Sequence, residues 1–467
     1  MGVLVSGVMC NSLKAQDLTS AILLTKSEQY DKSGDMLQQL IQKEPSNSKY
    51  YFFLGENYLL DYFADTISNS LDIYTKNAKD QYQKGVSANS NDPLNYVGLA
   101  KVAFLLGDDK TSDEMRAKAK SFLLPYKNIK KMTPPAKEYA FALAKIAESY
   151  INAKEGKVDT AKALPLVREA IKIDSKNADI QLIAGDIHMI INDGSPAIKF
   201  YNLAQFADPK SPTANMKIGY VYVRGRALTA AIPKFEEAIG LDPNYAPAYR
   251  ELGQVYLSAN RYEQSKQNFV KYLELTQGNI PAKIRYINSL FYAGDYDEVI
   301  KNVEEVLAID NSRAYMNRLA GYSYFDKKNP DYQKAQTYME ELFKSVSADR
   351  ILWKDHYYMA RIMMKKNQNY VKQNDELDNL NAQLVKDNAK YNSASAADKA
   401  KLKPAIDDLT AKVEKLKKDV SASKSEIDRG FQEYNKVLEA KPQDKAVMSE
   451  IASNYYSFKM YDQAAKA

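Results

Sequence analysis

The chain has 467 residues, 65 of them Lys or Arg and 59 Asp or Glu, for a formal net charge of +6. Hydrophobic residues make up 45% and charged ones 27%, a globular composition and not a disordered one. The charge is small and no Lys/Arg-dense block stands out, so nucleic-acid binding is not indicated. No apolar run after the first residues approaches the ~18 residues of a membrane span.

Residues 1–16 hold a short apolar stretch ending at Lys14-Ala15-Gln16, before a polar start at Asp17. They read as the remnant of a secretory signal peptide, with cleavage after Ala15 or Gln16; the competing reading is an apolar start to the first helix. Cys10 invites lipidation, but Met9 stands where a lipoprotein signal wants a small residue, so anchoring there is disfavoured. Cys10 is the single cysteine, and its removal would leave no disulfide, thiol nucleophile or cysteine metal site.

Five stretches repeat with a period of 34 residues, starting at or just before Ala178, Thr213, Pro247, Pro281 and Tyr315. Gly185, Gly219, Gly253 and Gly321 share one repeat position, where the fourth unit has Ile287. In the unit from Pro247, Tyr249, Leu252, Gly253 and Tyr256 fall at helical spacing, a turn follows at 258–261, and Tyr262, Ser265, Phe269 and Tyr272 form a second helical stripe. The two preceding units close on Leu241-Asp242-Pro243 and Asp208-Pro209, where proline stops the second helix. The glycines predict a close approach of two helices, and the bulky Tyr and Phe are expected to fill the gap between helix pairs.

This pattern resembles the tetratricopeptide repeat (TPR) family: a small residue at the eighth position, an aromatic at the eleventh, Ala at the twentieth and Pro near the thirty-second. Weaker copies run outward through Leu54-Gly55, Leu99-Ala100 and Ile146-Ala147, and toward the other end through Gly294-Asp295-Tyr296, Met359-Ala360 and Ile451-Ala452. Eleven frames result, the last cut inside its second helix, so the natural protein is expected to continue past Ala467. The resemblance implies an all-α, right-handed superhelical solenoid over residues 17–365, resuming over 429–467.

Departures from the period lie near 61–75, near 152–160 and over 366–428. In the last, Tyr370, Leu377, Leu384 and Tyr391 are seven apart, and Ile406, Leu409, Val413, Leu416 and Val420 follow Pro404 at alternating spacings of three and four. Two heptad stripes joined by a polar loop predict an antiparallel coiled-coil hairpin. Pairing of either stripe with another chain is the alternative. The hairpin could serve as a docking arm or be a tolerated insertion.

No phosphate loop, zinc-protease helix or serine-hydrolase elbow is present, and His188 and His356 are the two histidines. His188 sits at an aromatic core position and reads as packed. The expectation is a non-enzyme with no cofactor and no metal. In the resembling family the inner face is lined by the first helices. Carried over residue by residue, that face offers Arg224, Arg250, Gln254, Asn288, Tyr292, Arg318, Tyr322, Tyr357 and Arg361, with Arg285 flanking. Guanidinium forks bind carboxylates, and Tyr supplies rigid contact area with a polar tip. A merely solvated face with incidental arginines is the alternative. The family's chaperone-tail clamp is absent, because Met216 and Tyr220, or Arg250 and Gln254, replace its Lys-Asn pair.

The expected function is an exported, periplasmic or outer-membrane-associated scaffold that binds another protein. In composition and leader the chain is similar to envelope TPR proteins of Bacteroidetes-type bacteria. A glycan- or peptidoglycan-binding module and a regulatory subunit of an enzyme complex remain open.

Overall fold

A computed structural model describes residues 17–66, 69–123, 137–151 and 158–466. The proposed leader (1–16) and most of the departure near 152–160 lie outside these residues. The described residues form helices joined by turns, from Leu18–Lys26 to Tyr461–Lys466. They divide into two compact units, Met1–Ala293 and Gly294–Ala467.

In the first unit the helices alternate along the chain as pairs. Ala178–Ile190 is followed by Gly194–Ala207, Thr213–Arg224 by Leu228–Leu241, and Ala246–Ser258 by Tyr262–Leu275. Several first helices start on a capping side chain. Asn47, Asp92 and Asn177 accept from the backbone N–H of Lys49, Leu94 and Ile180, and Pro93 adds its preset φ at the start of Pro93–Leu105. The turn inside each pair needs a left-handed residue just past the first helix. Gly107, Asn192 and Asn260 suit it, while Glu28 and Arg226 adopt it at φ 59°.

Gly185, Gly219 and Gly253 receive rings from the second helix of their own pair, and Gly321 receives Met339. A Cβ built on Gly185 would lie 2.3 Å from Tyr201, one on Gly219 2.6 Å from Phe235, and one on Gly253 3.0 Å from Phe269. Tyr82 covers Gly55 of its own pair and Gly98 at the start of the next, and so lies between pairs. Tyr201, Phe235 and Phe269, buried at 2%, 0% and 1% exposure, fill a notch within their own pair and also pack on the next one, as expected: Tyr201 clusters with Ala214, Ile218 and Val221, Phe235 with Leu252 and Val255, and Phe269 with Ala282. The departure near 61–75 lengthens two helices to Ser48–Ala64 and Leu71–Ala88.

In the second unit, Trp353–Lys366 is followed by Tyr370–Ser393 and then by Ala396–Ala440, a single helix of 45 residues. Leu377, Val413 and Val420 form a buried cluster, with Tyr370, Leu380, Leu384, Leu409 and Leu416 packed against it. Pro404 stands inside the long helix and not ahead of it. Nor is there a break at 428/429: the same helix carries Ile427, Phe431, Tyr434 and Val437 into a core with Ala360, Met364, Val447 and Ile451. Among the described residues no helix is long and apolar enough to cross a membrane.

Candidate functional site

The first helices carry the predicted Arg/Tyr row, and nearly every long polar member of it already holds a partner in the chain. In the second unit, Arg318 donates from Nε to Oδ1 of Asp355 at 2.6 Å and from Nη2 to Oδ2 at 2.7 Å. The Tyr322 hydroxyl donates to Oδ1 at 2.7 Å, and the backbone N–H of Leu352 to Oδ2 at 2.7 Å. Four donors thus satisfy a carboxylate whose residue is 0% exposed, the condition under which a buried charge is tolerated. The hydrogen bond to Asp355 raises the Arg318 pKa above its ordinary value, against the opposing effect of burial. Tyr322 stacks on Tyr358 with ring centroids 3.7 Å apart.

One repeat further on, Arg361 Nε reaches Glu450 Oε1 at 2.9 Å and the Tyr357 hydroxyl donates to Oε2 of the same carboxylate. The Arg361 guanidinium also lies over the Phe325 ring, 4.7 Å from its centroid. Burial, then the bond to Glu450, pushes the Tyr357 phenol up to about 12.

The first unit holds a third such seat. Arg250 pairs with Glu28 through Nη1 and with Glu251 through Nε at 3.0 Å, and the Tyr272 hydroxyl donates to Glu28 Oε2 at 2.8 Å. Burial alone would lower the Arg250 pKa; the Glu28 and Glu251 carboxylates reverse this and hold the group well above its usual value. The remaining members are less engaged in shared sites. Arg224 is exposed and bonds Met189 O at 3.2 Å and the Asn192 side chain. Asn288 bonds its own helix at Ile284 O, and Tyr292 is 55% exposed, stacked on Tyr262 at 5.9 Å. Gln254 is half-buried and Arg285 exposed.

Nearer the N-terminus the inner-face positions carry a buried charge cluster. Lys101 Nζ lies 2.5 Å from Glu56 and 2.7 Å from Glu148, Lys145 Nζ lies 2.9 Å from Glu148, and the Tyr82 hydroxyl donates to Glu56 at 2.9 Å. Burial pushes the Glu148 carboxyl up, but Lys101 and Lys145 pull harder and bring it down to about 2.

The predicted row contained Arg250, Arg318, Tyr322, Tyr357 and Arg361 but not Tyr272, read as a packing residue, nor the carboxylates Glu28, Asp355 and Glu450. Asp355 and Glu450 each lie on the first helix after the one carrying the arginine, a signal available by comparing successive helices. Glu28 is 222 residues from Arg250, and the period does not reveal such a pair. The expectation of open guanidinium forks is corrected accordingly at Arg250, Arg318 and Arg361. His188 stacks on Phe200 with centroids 5.4 Å apart. His356 bonds Glu433 through Nδ1. Among the described residues no group of three or more His, Cys, Asp or Glu is placed to hold a metal.

These features define an all-α helical-repeat protein. Residues 214–267 match the tetratricopeptide repeat family model, so this stretch is a tetratricopeptide repeat segment. The chain is 24% identical over 259 residues to RNA polymerase II-associated protein 3 of Xenopus tropicalis, covering 54% of this chain and 38% of that one. A 109-residue stretch is 33% identical to the probable UDP-N-acetylglucosamine–peptide N-acetylglucosaminyltransferase SPINDLY of Hordeum vulgare, 22% of this chain and 12% of that one. The chain thus spans less than two-fifths of the length of these curated relatives. Among solved structures it is similar to YrrB, described as a TPR protein with an unusual peptide-binding site, at 22% identity and a TM-score of 0.35 over 38% of this chain and 91% of that one.

Proposed function

We propose that this chain is a non-enzymatic scaffold that binds another protein through the inner face of its first helices. The observation that carries this reading is the recurrence of one device. Three Arg–Tyr pairs (Arg250 with Tyr272, Arg318 with Tyr322, Arg361 with Tyr357) each close on a carboxylate. A surface with that chemistry suits acidic side chains, and helical repeats present it as an extended concave face. The Xenopus relative is named for association with a polymerase; membership of a complex, not that partner, is what this proposal carries over. In this reading the scaffold serves an outer-membrane or secretion complex in the envelope of a Bacteroidetes-type bacterium; the leader-like residues 1–16 and the composition are what support it. The packed helices Tyr370–Ser393 and Ala396–Ala440 act in this reading as a coiled-coil docking arm.

Exposed Tyr292, stacked on Tyr262, is the feature a glycan-binding module would use. The other rings of the row weigh against that reading, because Tyr322 is 5% exposed and both Tyr322 and Tyr357 are spent on carboxylates.

Site-specific photo-crosslinking in the native host tests the scaffold reading. A crosslinker at Tyr292 or Arg285 should trap one defined protein, and one at Phe206, 82% exposed on a second helix, should not. Equal trapping from Phe206, or none from the first helices, would put the contact elsewhere. Release of the chain by osmotic shock tests the location; retention with cytoplasmic markers would remove the envelope assignment.

A further inference from the structure

The turn between the first two helices, Leu18–Lys26 and Tyr30–Lys43, behaves unlike its counterparts. The equivalent turn residues Gly107, Asn192, Arg226, Asn260, Gly294 and Lys459 are all exposed. Here Ser27 and Gln29 are buried at 2% and 9%, and Glu28 is half-buried at a left-handed φ of 59°, where Gly or Asn is the better residue. The burial comes from residues far along the chain. Lys26 Nζ lies 2.7 Å from Asp179, Gln29 Nε2 donates to Asn244 O at 3.4 Å, and Glu28 fills the Arg250–Tyr272 seat. One turn thus makes side-chain polar contacts to three consecutive repeats downstream.

Arg226 and Lys459 adopt the same φ while exposed; Glu28 is set apart by its contact, because both oxygens of its carboxylate are taken by Arg250 and Tyr272. We infer that the Lys26–Gln29 turn is a ligand in cis that closes the inner face of the Met1–Ala293 unit, and that the Arg250–Tyr272 seat takes a carboxylate-bearing peptide once Glu28 leaves it. The ligand half of this inference rests on the protein-binding reading above; the closure half does not. No covalent step is involved. The incoming carboxylate exchanges for Glu28 on the same guanidinium and phenol, so the two occupants compete one for one.

The test uses the full chain. Glu28→Gly deletes the carboxylate while favouring the turn's own φ. Hydrogen exchange over residues 18–43 should accelerate by roughly tenfold, and a hexaglutamate peptide should bind roughly tenfold tighter than to the wild type. Because a loosened first hairpin could also reflect general destabilisation, a charge swap supplies the control. Glu28→Arg alone should open the hairpin, and Glu28→Arg with Arg250→Glu should close it again. Unchanged exchange in Glu28→Gly, or no recovery in the swap, overturns the closure. A hairpin that opens without any gain in hexaglutamate binding overturns the carboxylate seat; the crosslinking from Tyr292 then judges the scaffold reading independently.

Discussion

The notch at each repeat glycine gives a graded prediction. Alanine at Gly185 would place its Cβ 2.3 Å from Tyr201 Cε1, against an ordinary contact of 3.4–4 Å, so the ring must retreat by more than an ångström. Tyr201 cannot retreat freely, because its hydroxyl donates to Asp186 at 2.7 Å and Asp186 is held by Lys217 at 2.7 Å. Overpacking of this kind costs about 1–3 kcal/mol, and loosening a hydrogen bond to a charged group adds about 1.5–3 kcal/mol. Alanine recovers about 1 kcal/mol of helix propensity over glycine. Gly185→Ala should therefore destabilise its helix pair by about 1.5–5 kcal/mol. Gly253 differs: its Cβ would meet Phe269 at 3.0–3.1 Å, and that ring has no polar anchor. A shift of a few tenths of an ångström costs no more than about 1 kcal/mol, so Gly253→Ala should come out near zero. The assay is hydrogen exchange of Ala178–Ala207 and of Ala246–Leu275 separately, since a repeat array need not unfold as one unit. A neutral Gly185→Ala, or a Gly253→Ala that costs as much, would refute the account of the notch.

Three further outcomes are expected. Asp355→Asn removes the charge that Arg318 faces in a fully buried site and should cost about 3–5 kcal/mol; replacing Arg318 and Asp355 together by apolar residues should cost less, as read by exchange over 317–366. Glu148, at about 2 when folded against 4.5 ordinarily, contributes stability that is complete above pH ~4.5 and is lost as pH falls toward 2. Its worth is on the order of 3 kcal/mol, and Glu148→Gln should flatten the acid limb of the unfolding profile. Asp61 has the opposite sign. Burial raises its carboxyl to about 6, so its contribution is present below pH ~4 and lost as pH rises through 6. Asp61→Asn should then stabilise at pH 7 by roughly 1–3 kcal/mol and show no effect at pH 4, measured as a difference in thermal midpoint.

The period and the small residues were readable because each unit repeats one packing problem: a glycine or alanine stripe must meet a neighbouring helix. Which side chain fills the glycine notch was less readable. Spacing shows that Gly253 and Phe269 recur together but not that they touch within a pair. The row from Arg224 to Arg361 was legible as positions and misread as chemistry. A single repeat position, followed down the chain, shows the cations and not the carboxylates offset from them on the next helix. The heptad spacing of Leu377, Leu384, Leu409 and Leu416 marked residues that pack together. The unbroken run from Ala396 to Ala440 was hidden, because Pro404 and the change of stripe both suggest an interruption.

The three carboxylate seats are alike in chemistry and differ in what opening them would expose. Releasing Asp355 would uncover a 0% exposed carboxylate and the Tyr322–Tyr358 stack, so this tie opens only with the packing between neighbouring units. Glu450, the partner of Arg361, sits beside the buried Tyr434 and Ile451. These two seats tie successive first helices to each other. Glu28 ties a turn to a helix 222 residues further on, and the Lys26–Asp179 pair beside it is 35% and 42% exposed. Solvent already reaches that contact, so breaking it need not unpack a helix pair. The first hairpin itself is packed on Ser48–Ala64 through Ala21, Leu37 and Leu54. Exposed ion pairs are worth little each, about 0–1 kcal/mol, which leaves the half-buried Glu28 seat as the main tie between the Lys26–Gln29 turn and Arg250. A ligand that supplies an equivalent carboxylate needs only to match that hold, whereas at Asp355 it would have to compete with the core itself.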